Sequence, residues 1–218
     1  MFKKIFAVIL SLSMLSTVVS AAEFSDVGNH WAAGEIQYGV DNGMISGYPD
    51  GTFRPNGTVT RAEFVKMLTA SICANLNLDP SEYGDDTHWA SAYYNFAMEK
   101  GIVVPRAEEV YDGVAMGTFD AENANYEIKR WEMAYMLYTV LTNVFRYDVL
   151  YSDYTDHDLT AQTYGEEIAY MIGSCIYAGL LNGDQNRNFN ASNNTTRAEA
   201  IAVVNRVDRA IKAVINQE

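Results

Sequence analysis

The sequence predicts a mainly α-helical fold in which three copies of one helix–loop–helix unit share a single core. Three observations predict it: a four-residue motif that recurs, a glycine at a fixed distance from a recurring tryptophan, and apolar residues four apart. A helix pair this short buries too little apolar surface to be stable alone, so the copies must pack on one another.

One motif opens the second helix of each copy. The sequence Thr-Arg-Ala-Glu at residues 60–63 recurs at residues 196–199, and residues 129–132 carry a weaker version, Lys-Arg-Trp-Glu. Threonine followed by glutamate three residues later forms a capping box, which satisfies free backbone N–H groups at a helix start. Lys129 replaces the capping threonine, at an expected cost of about 1 kcal/mol. The predicted caps are Thr60, Glu63, Glu132, Thr196 and Glu199.

A second pattern marks the first helix. His-Trp-Ala at residues 30–32 recurs at residues 88–90, and a glycine lies twelve residues after each tryptophan, at Gly43 and Gly101. Gly179 fits the third copy. These glycines fall where the residue after a helix takes a positive φ. Pairs of apolar residues four apart mark the buried face of each first helix: Ile36 and Val40, Tyr94 and Met98, and Ile172 and Ile176.

The first 22 residues are typical of a secretory signal peptide. Lys3 and Lys4 precede an apolar run over residues 5–19, and small residues offer cleavage after Ala21 or Ala22. The alternative, a membrane anchor, needs about 20 apolar residues and no cleavage site. Cleavage would remove two lysines and no acidic residue, which changes the net charge from −13 to −15. The sequence therefore predicts an exported, acidic protein.

Composition excludes several classes of function. Fifteen basic residues against 28 acidic ones oppose nucleic-acid binding, because a phosphate backbone needs a basic surface. Two cysteines cannot form a four-thiolate zinc site. We expect Cys73 and Cys175 to be buried free thiols, with a disulfide as the alternative because export permits one. The histidines lack metal-ligand spacing. We therefore expect no catalytic residues, no metal and no cofactor.

The motifs of copy one closely resemble the S-layer homology (SLH) motif. The resemblance rests on Phe-Ser-Asp at residues 24–26, His-Trp-Ala at 30–32, Gly43, the loop Gly-Tyr-Pro-Asp-Gly-Thr-Phe-Arg-Pro at 47–55, and Thr-Arg-Ala-Glu at 60–63. The three copies together resemble a complete SLH triplet. The expected boundaries are a signal peptide at 1–22, one domain at 23–212 with copies at 23–76, 81–146 and 150–212, and a tail at 213–218.

Copies two and three depart from the motif. Copy two opens with Tyr83 and Asp85 and carries extra residues before Arg130. Copy three keeps Tyr-Ser-Asp at residues 151–153 but has Glu167 in the tryptophan position, after about nine extra residues.

The resemblance implies a pseudo-threefold arrangement of three helix–loop–helix repeats around a central helix bundle, with grooves between neighbouring repeats. It also implies a non-enzymatic module that holds an exported protein on the bacterial cell wall or S-layer surface. The implied ligand is a secondary cell wall polysaccharide, often with a pyruvate ketal; some relatives bind modified peptidoglycan. The family's binding arginine maps onto Arg61, Arg130 and Arg197. The aspartate and tryptophan that flank the groove map onto Asp26, Trp31, Asp85 and Trp89, with only Asp153 kept in copy three.

Physical chemistry supports this mapping. A ketal carboxylate suits the planar, permanently charged guanidinium of arginine, and each arginine begins a helix, whose free N–H groups favour an anion. The arginine and glutamate could instead serve only as caps and salt bridges, and the tryptophans only as core or groove-wall residues. An SLH-fold interaction protein that acts through another exported protein, with weak glycan binding, is therefore the alternative. In either case the triplet is expected to be monomeric.

Overall fold

The computed structural model describes residues 24–102, 110–111, 114–115, 123–146, 148 and 150–216. Several predictions fall outside these residues. They concern the signal peptide and the end of the tail.

The described residues are mainly helical, as predicted. Copy one contains α1 and α2, copy two contains α3 and α4, and copy three contains α5, α6 and α7. The helix bounds are Ala33–Asp41, Arg61–Leu76, Ser91–Glu99, Arg130–Thr139, His157–Tyr164, Glu166–Tyr177 and Arg197–Ile215, in that order. Two short antiparallel strands, β1 (Val110–Tyr111) and β2 (Val114–Ala115), lie within copy two. Helix α5 was not predicted; it occupies the extra residues of copy three.

Helix packing crosses the boundaries between copies. The first helix of each copy packs on the second helix of the preceding copy: α3 on α2, α6 on α4, and α1 on α7. Helices α2 and α7 also pack on each other. One apolar cluster runs from Phe24 to Ile211 and takes residues from all three copies. The copies therefore share one core, and α7 extends past residue 212 to Ile215.

Three backbone hydrogen bonds link the residues before the second helices into a closed ring. The N–H of Val59 donates to the carbonyl of Thr195 (3.1 Å), that of Thr195 to Ile128 (2.9 Å), and that of Ile128 to Val59 (3.0 Å). These three bonds join equivalent positions of the three copies, two residues before each motif arginine. The arrangement of the complete units stays a prediction.

The helix caps follow the sequence closely. Both threonine capping boxes form, with the Thr60 and Thr196 side chains accepting the N–H groups of Glu63 and Glu199. At Lys129 only the reciprocal half survives, in which its N–H donates to Glu132 (2.7 Å). The three predicted positive-φ glycines are confirmed, with φ of 68° at Gly43, 66° at Gly101 and 73° at Gly179.

The two cysteines are free and buried, as expected. Burial, together with the charge of Asp79, raises the pKa of Cys73 to about 11. Burial also raises the pKa of Cys175, whose thiol lies 3.5 Å from the carbonyl oxygen of Ala134. Both therefore stay protonated at neutral pH and serve as small apolar core residues.

Candidate functional site

Each motif arginine pairs with the capping glutamate of the next copy. Arg130 lies 2.8 Å from Glu199, Arg197 lies 3.8 Å from Glu63, and Arg61 pairs with Glu132. The pairs close a second ring around the backbone ring at the centre. The capping glutamates therefore join neighbouring copies as well as starting their helices.

Arg130 is bound tightly to copy three. Its Nε donates to the carbonyl of Phe189 (2.8 Å), and Nη2 approaches the carbonyl of Asn182 (3.4 Å). Its Nη1 donates to Glu199 (2.8 Å), and the guanidinium lies 4.7 Å from the centroid of the Phe189 ring. Burial lowers its pKa, opposed by the charge of Glu199, but an arginine remains charged.

Arg197 makes the equivalent contacts with copy one. Its Nε donates to Phe53 (2.9 Å) and its Nη2 to Ser46 (3.1 Å). Its guanidinium lies 4.8 Å from the ring centroids of both Phe53 and Tyr48. Arg130 and Arg197 thus hold the loop of the next copy by hydrogen bonds to its carbonyl groups. This is the structural role that the sequence analysis gave as the alternative to ligand binding. Their role in ligand binding stays a prediction.

The Arg61–Glu132 pair is the most buried of the three. The exposed fraction is 8% for Arg61 and 0% for Glu132. Burial raises the pKa of Glu132, and the charge of Arg61 opposes the rise. Arg61 therefore compensates a carboxylate that is out of contact with water.

Trp31 and Trp89 are surface residues. Their exposed fractions are 65% and 59%, so neither is a core residue, and the alternative of a groove-wall role stays open. Each stands at the start of a first helix beside a histidine, with ring centroids 5.5 Å apart for His30 and Trp31 and 5.3 Å apart for His88 and Trp89. The His30 ring accepts the N–H of Ala32 (3.2 Å), which fixes the imidazole beside Trp31 just before α1 begins.

Trp31 lies at one edge of a groove of about 470 Å³ that residues of all three copies line. Copy two contributes Arg130, and copy three contributes the loop after α6 and one face of α7. Arg61, which belongs to the same copy as Trp31, is not among the lining residues. We call this the Trp31 groove. Its polar lining includes Asn182, Asp184, Asn190, Asn193, Asn194, Glu199 and Arg206.

The amides of the Trp31 groove were missed by sequence reasoning. The loop between α6 and α7 carries asparagines at close spacing, and this was the only signal that could have found them. Arg130 and Trp31 were each predicted as binding residues, but the sequence did not show that they line the same groove. Arg130 and Trp31 come from different copies because packing crosses the copy boundaries.

Two of the three predicted aspartates, Asp26 and Asp85, accept hydrogen bonds from loop residues. Asp26 accepts the N–H groups of Phe53 (2.9 Å) and Arg54 (2.8 Å), which holds the loop of copy one closed. Asp85 accepts hydrogen bonds from the side chain and backbone of Thr87, which lower its pKa to about 2.

The predicted equivalence of Asp153 with Asp26 is wrong, because the register of copy three differs by three residues. Asp156 accepts the N–H groups of Phe189 (2.5 Å) and Asn190 (2.7 Å), the positions that correspond to the two donors at Asp26. Asp153 is exposed and accepts the N–H of Tyr154 (3.0 Å). Two similar triplets, Tyr-Ser-Asp and Tyr-Thr-Asp, stand side by side, and only the structure distinguishes them.

Replacing Asp156 with alanine is expected to lower the free energy of unfolding by about 2–3 kcal/mol, since two backbone donors lose a charged acceptor. Asp153→Ala, the matched control, should cost less than about 1 kcal/mol. Urea denaturation followed by circular dichroism measures both. If Asp153→Ala lowered the free energy of unfolding more than Asp156→Ala does, the predicted equivalence of Asp153 with Asp26 would be supported after all.

Among the described residues, no cluster of histidine, cysteine, aspartate or glutamate could hold a metal ion. The helices described here also lack the combination of length and apolar composition that a membrane span requires.

Two segments of the chain, residues 23–65 and 163–201, match the family described as S-layer homology domain. These two segments are therefore similar to S-layer homology domains. The matched segments include Trp31, Arg61 and Arg197, whereas the copy-two motif with Arg130 lies between them. This agrees with the weaker motif of copy two.

Among the proteins with sequences similar to this chain are ones named as S-layer, anchoring and cell-surface proteins. The chain is 34% identical over 112 residues to S-layer protein EA1 of Bacillus anthracis, an alignment of 47% of the chain and 13% of that protein. It is 33% identical over 102 residues to the cellulosome-anchoring protein of Acetivibrio thermocellus, an alignment of 42% of the chain and 22% of that protein. Cell surface glycoprotein 1 of the same organism is 30% identical over 132 residues, an alignment of 55% of the chain and 5% of that protein. The chain thus spans less than a quarter of the length of each of these relatives.

Proposed function

We propose that the protein is a non-enzymatic module that is exported and binds the bacterial cell wall. Its ligand is the secondary cell wall polysaccharide, held in grooves between the S-layer homology repeats. The relatives named as S-layer and anchoring proteins support this role. The observation that carries the proposal is the Trp31 groove, where an exposed indole faces amides and a fastened guanidinium.

The chemistry of this groove suits a sugar. An indole that is 65% exposed offers its face for stacking on a pyranose ring. Polar side chains with fixed partners around it can orient hydroxyl groups. Weak sites of this kind retain a protein on a repetitive polymer when several act together.

Charge restricts how the protein meets the wall. The chain carries a net charge of −13, so long-range attraction to an anionic wall polymer is weak. Recognition therefore depends on local contacts within the grooves. We propose that the triplet acts as a monomer at the wall or S-layer surface.

Co-sedimentation of the protein with purified sacculi, with and without chemical removal of the secondary polysaccharide, tests this function. We expect retention that requires the polymer and falls at least tenfold in Trp31→Ala. Tyr177→Ala is the matched control, because Tyr177 is an aromatic residue of α6 that is 48% exposed and does not line the groove. Arginine variants are less suitable, since they also break contacts between copies. Failure of the folded protein to sediment with intact sacculi would refute the proposal.

A second candidate is an interaction protein of the cell surface that binds another exported protein. The hydrogen bonds of Arg130 and Arg197 to loop carbonyls favour it, because they give both arginines a structural purpose without a glycan. This candidate predicts protein partners in a cross-linking experiment on whole cells and no retention by purified wall.

A further inference from the structure

The three interfaces that join the copies can be compared position by position. Each is formed by the first helix of one copy and the second helix of the preceding copy: α1 with α7, α3 with α2, and α6 with α4. The position eleven residues after the motif arginine is buried in every copy and holds Ile72, Leu141 or Asp208. A carboxylate therefore replaces an apolar side chain in α7, which is the second helix that receives α1.

Asp208 is bound by side chains of three helices. Its Oδ2 accepts the hydroxyl of Tyr38 in α1 (2.5 Å) and the ammonium of Lys212 in α7 (2.8 Å), and its Oδ1 accepts the amide of Asn75 in α2 (2.6 Å). Burial acts to raise the pKa of Asp208, but the hydrogen bonds from Lys212, Tyr38 and Asn75 leave it below its ordinary value of 3.8. The carboxylate is therefore ionised at neutral pH although it is only 1% exposed. We call these four residues the Asp208 cluster.

A second polar contact lies beside the cluster in the same interface. The side-chain amide of Asn205, which is fully buried, donates to the carbonyl of Glu35 (2.8 Å) and to its carboxylate (2.6 Å). Arg209 pairs with the same carboxylate at 3.0 Å. In the other first helices the position of Glu35, eight residues before the terminal glycine, holds Tyr93 or Met171. Charge is thus concentrated where the first copy meets the last.

Apolar packing alone does not determine which second helix each first helix joins, because the three first helices share one apolar pattern. The position of Tyr38, five residues before the terminal glycine, holds Phe96 in α3 and Ser174 in α6. If α3 or α6 packed on α7, Asp208 would stay buried without the hydroxyl of Tyr38. A buried charge that loses a partner is strongly destabilising, so such pairings are disfavoured.

Chain connectivity explains why one interface needs this discrimination. Helix α3 is the next helix after α2, and α6 follows α4 with only α5 between them, so those pairs are close in the sequence. Helices α1 and α7 stand at opposite ends of the described chain. A buried polar residue is a known means of fixing which helices associate in coiled coils, at a cost in stability.

We infer that the Asp208 cluster selects α1 as the partner of α7 and so determines where the ring of three copies closes. Wrong pairings leave a first helix free to join the second helix of another molecule, a characteristic failure of repeat proteins. The cluster therefore keeps closure within one chain. This inference goes beyond the proposed function, because it holds whatever ligand the grooves bind.

The test gives the α1–α7 interface the residues of the α3–α2 interface. Tyr38→Phe combined with Asp208→Ile reproduces Phe96 and Ile72. The proteins are refolded from urea over a range of concentrations in a reducing buffer, which keeps both cysteines as thiols. Size-exclusion chromatography with light scattering then measures the oligomers. We expect the unmodified protein to refold to a monomer, and the share of dimers and larger oligomers to rise at least tenfold in the double variant.

The matched control makes the same two changes at exposed positions. Tyr177→Phe combined with Asp158→Ile should refold to a monomer, since Tyr177 is 48% exposed and Asp158 is exposed. The urea midpoint of the Tyr38 and Asp208 double variant should be no lower than that of this control, because an apolar replacement of a buried polar cluster is often neutral or stabilising. Oligomers that appear only with a lower midpoint would trace the association to unfolding and overturn the inference.

A milder variant decides the question if the double variant does not fold. Asp208→Asn keeps the shape of the side chain and an acceptor for Tyr38, but it removes the charge that pairs with Lys212. Its share of oligomers should lie between those of the unmodified protein and the double variant, or above that of the unmodified protein where the double variant is unfolded. Refolding of the folded variants to a monomer as complete as that of the unmodified protein would show that the cluster only strengthens the contact, and would refute the selection of α1.

Discussion

Replacing Arg61 with alanine is expected to lower the free energy of unfolding by about 3–5 kcal/mol, because Glu132 would remain buried without its compensating charge. Denaturation in urea at pH 7 measures the loss. The surface pair of Arg54 and Asp50 provides the control, since both side chains are more than half exposed. Arg54→Ala should leave the urea midpoint nearly unchanged.

The destabilisation at Arg61 should depend on pH. Burial raises the pKa of Glu132 in the folded protein above its ordinary value of 4.5, and loss of Arg61 would raise it further. A carboxyl whose folded pKa is raised favours the folded state below 4.5, and this contribution is lost as the pH rises through the folded pKa. The difference between Arg61→Ala and the unmodified protein should therefore shrink as the pH falls from 7 towards 4.5.

A double replacement separates charge from packing. Substituting methionine for both Arg61 and Glu132 removes the buried charges together and should recover much of the stability that Arg61→Ala loses. If Arg61→Ala unfolds at the same urea concentration as Arg54→Ala, the buried pair does not stabilise the contact between copies.

Trp131→Ala should be about as damaging, with an expected loss of about 3–5 kcal/mol from a cavity in the core. Trp131 is 1% exposed, and its ring stacks on that of Tyr164 in α5 with centroids 5.2 Å apart. Copies one and three have alanine at this position, Ala62 and Ala198, and both are fully buried. The larger side chain of copy two is thus accommodated by the extra helix of copy three.

The size of the side chain should decide the outcome at Trp131. Trp131→Phe keeps an aromatic ring against Tyr164 and should lose clearly less stability than Trp131→Ala. Ala198→Trp, the reverse change in copy three, should destabilise the protein because that position is fully buried. Thermal unfolding followed by circular dichroism measures all three. Equal midpoints for Trp131→Ala and Trp131→Phe would contradict the packing role.

Local features of the fold could be predicted from the sequence because they depend on residues close together in the chain. The capping box at Thr60 and Glu63 and the positive φ at Gly43 need only neighbouring residues. The inward face of each first helix follows from apolar spacing, and Ile36, Tyr94 and Ile172 are buried as expected.

Features that depend on packing between copies could not be predicted in the same way. The motifs did not specify which arginine shares a groove with which tryptophan, and the structure combines Trp31 with Arg130. Copy three contains an insertion, and for that reason its sequence did not show that Asp156, rather than Asp153, accepts the backbone N–H groups of the loop. The spacing of the motif residues did not indicate that Trp131 is buried in the core while Trp31 is exposed.

The packing of α1 on α7 has a consequence for the order in which the chain folds. Tyr38 donates to Asp208 (2.5 Å), and Glu35 pairs with Arg209 (3.0 Å), so the first helix finds its partner at the opposite end of the sequence. A chain that crosses a membrane with its N-terminus first holds α1 unpaired until α7 has emerged. Contacts of such large sequence separation form slowly. The last step of folding therefore waits until α7 is available to α1, and a chain delivered N-terminus first stays incompletely folded until then.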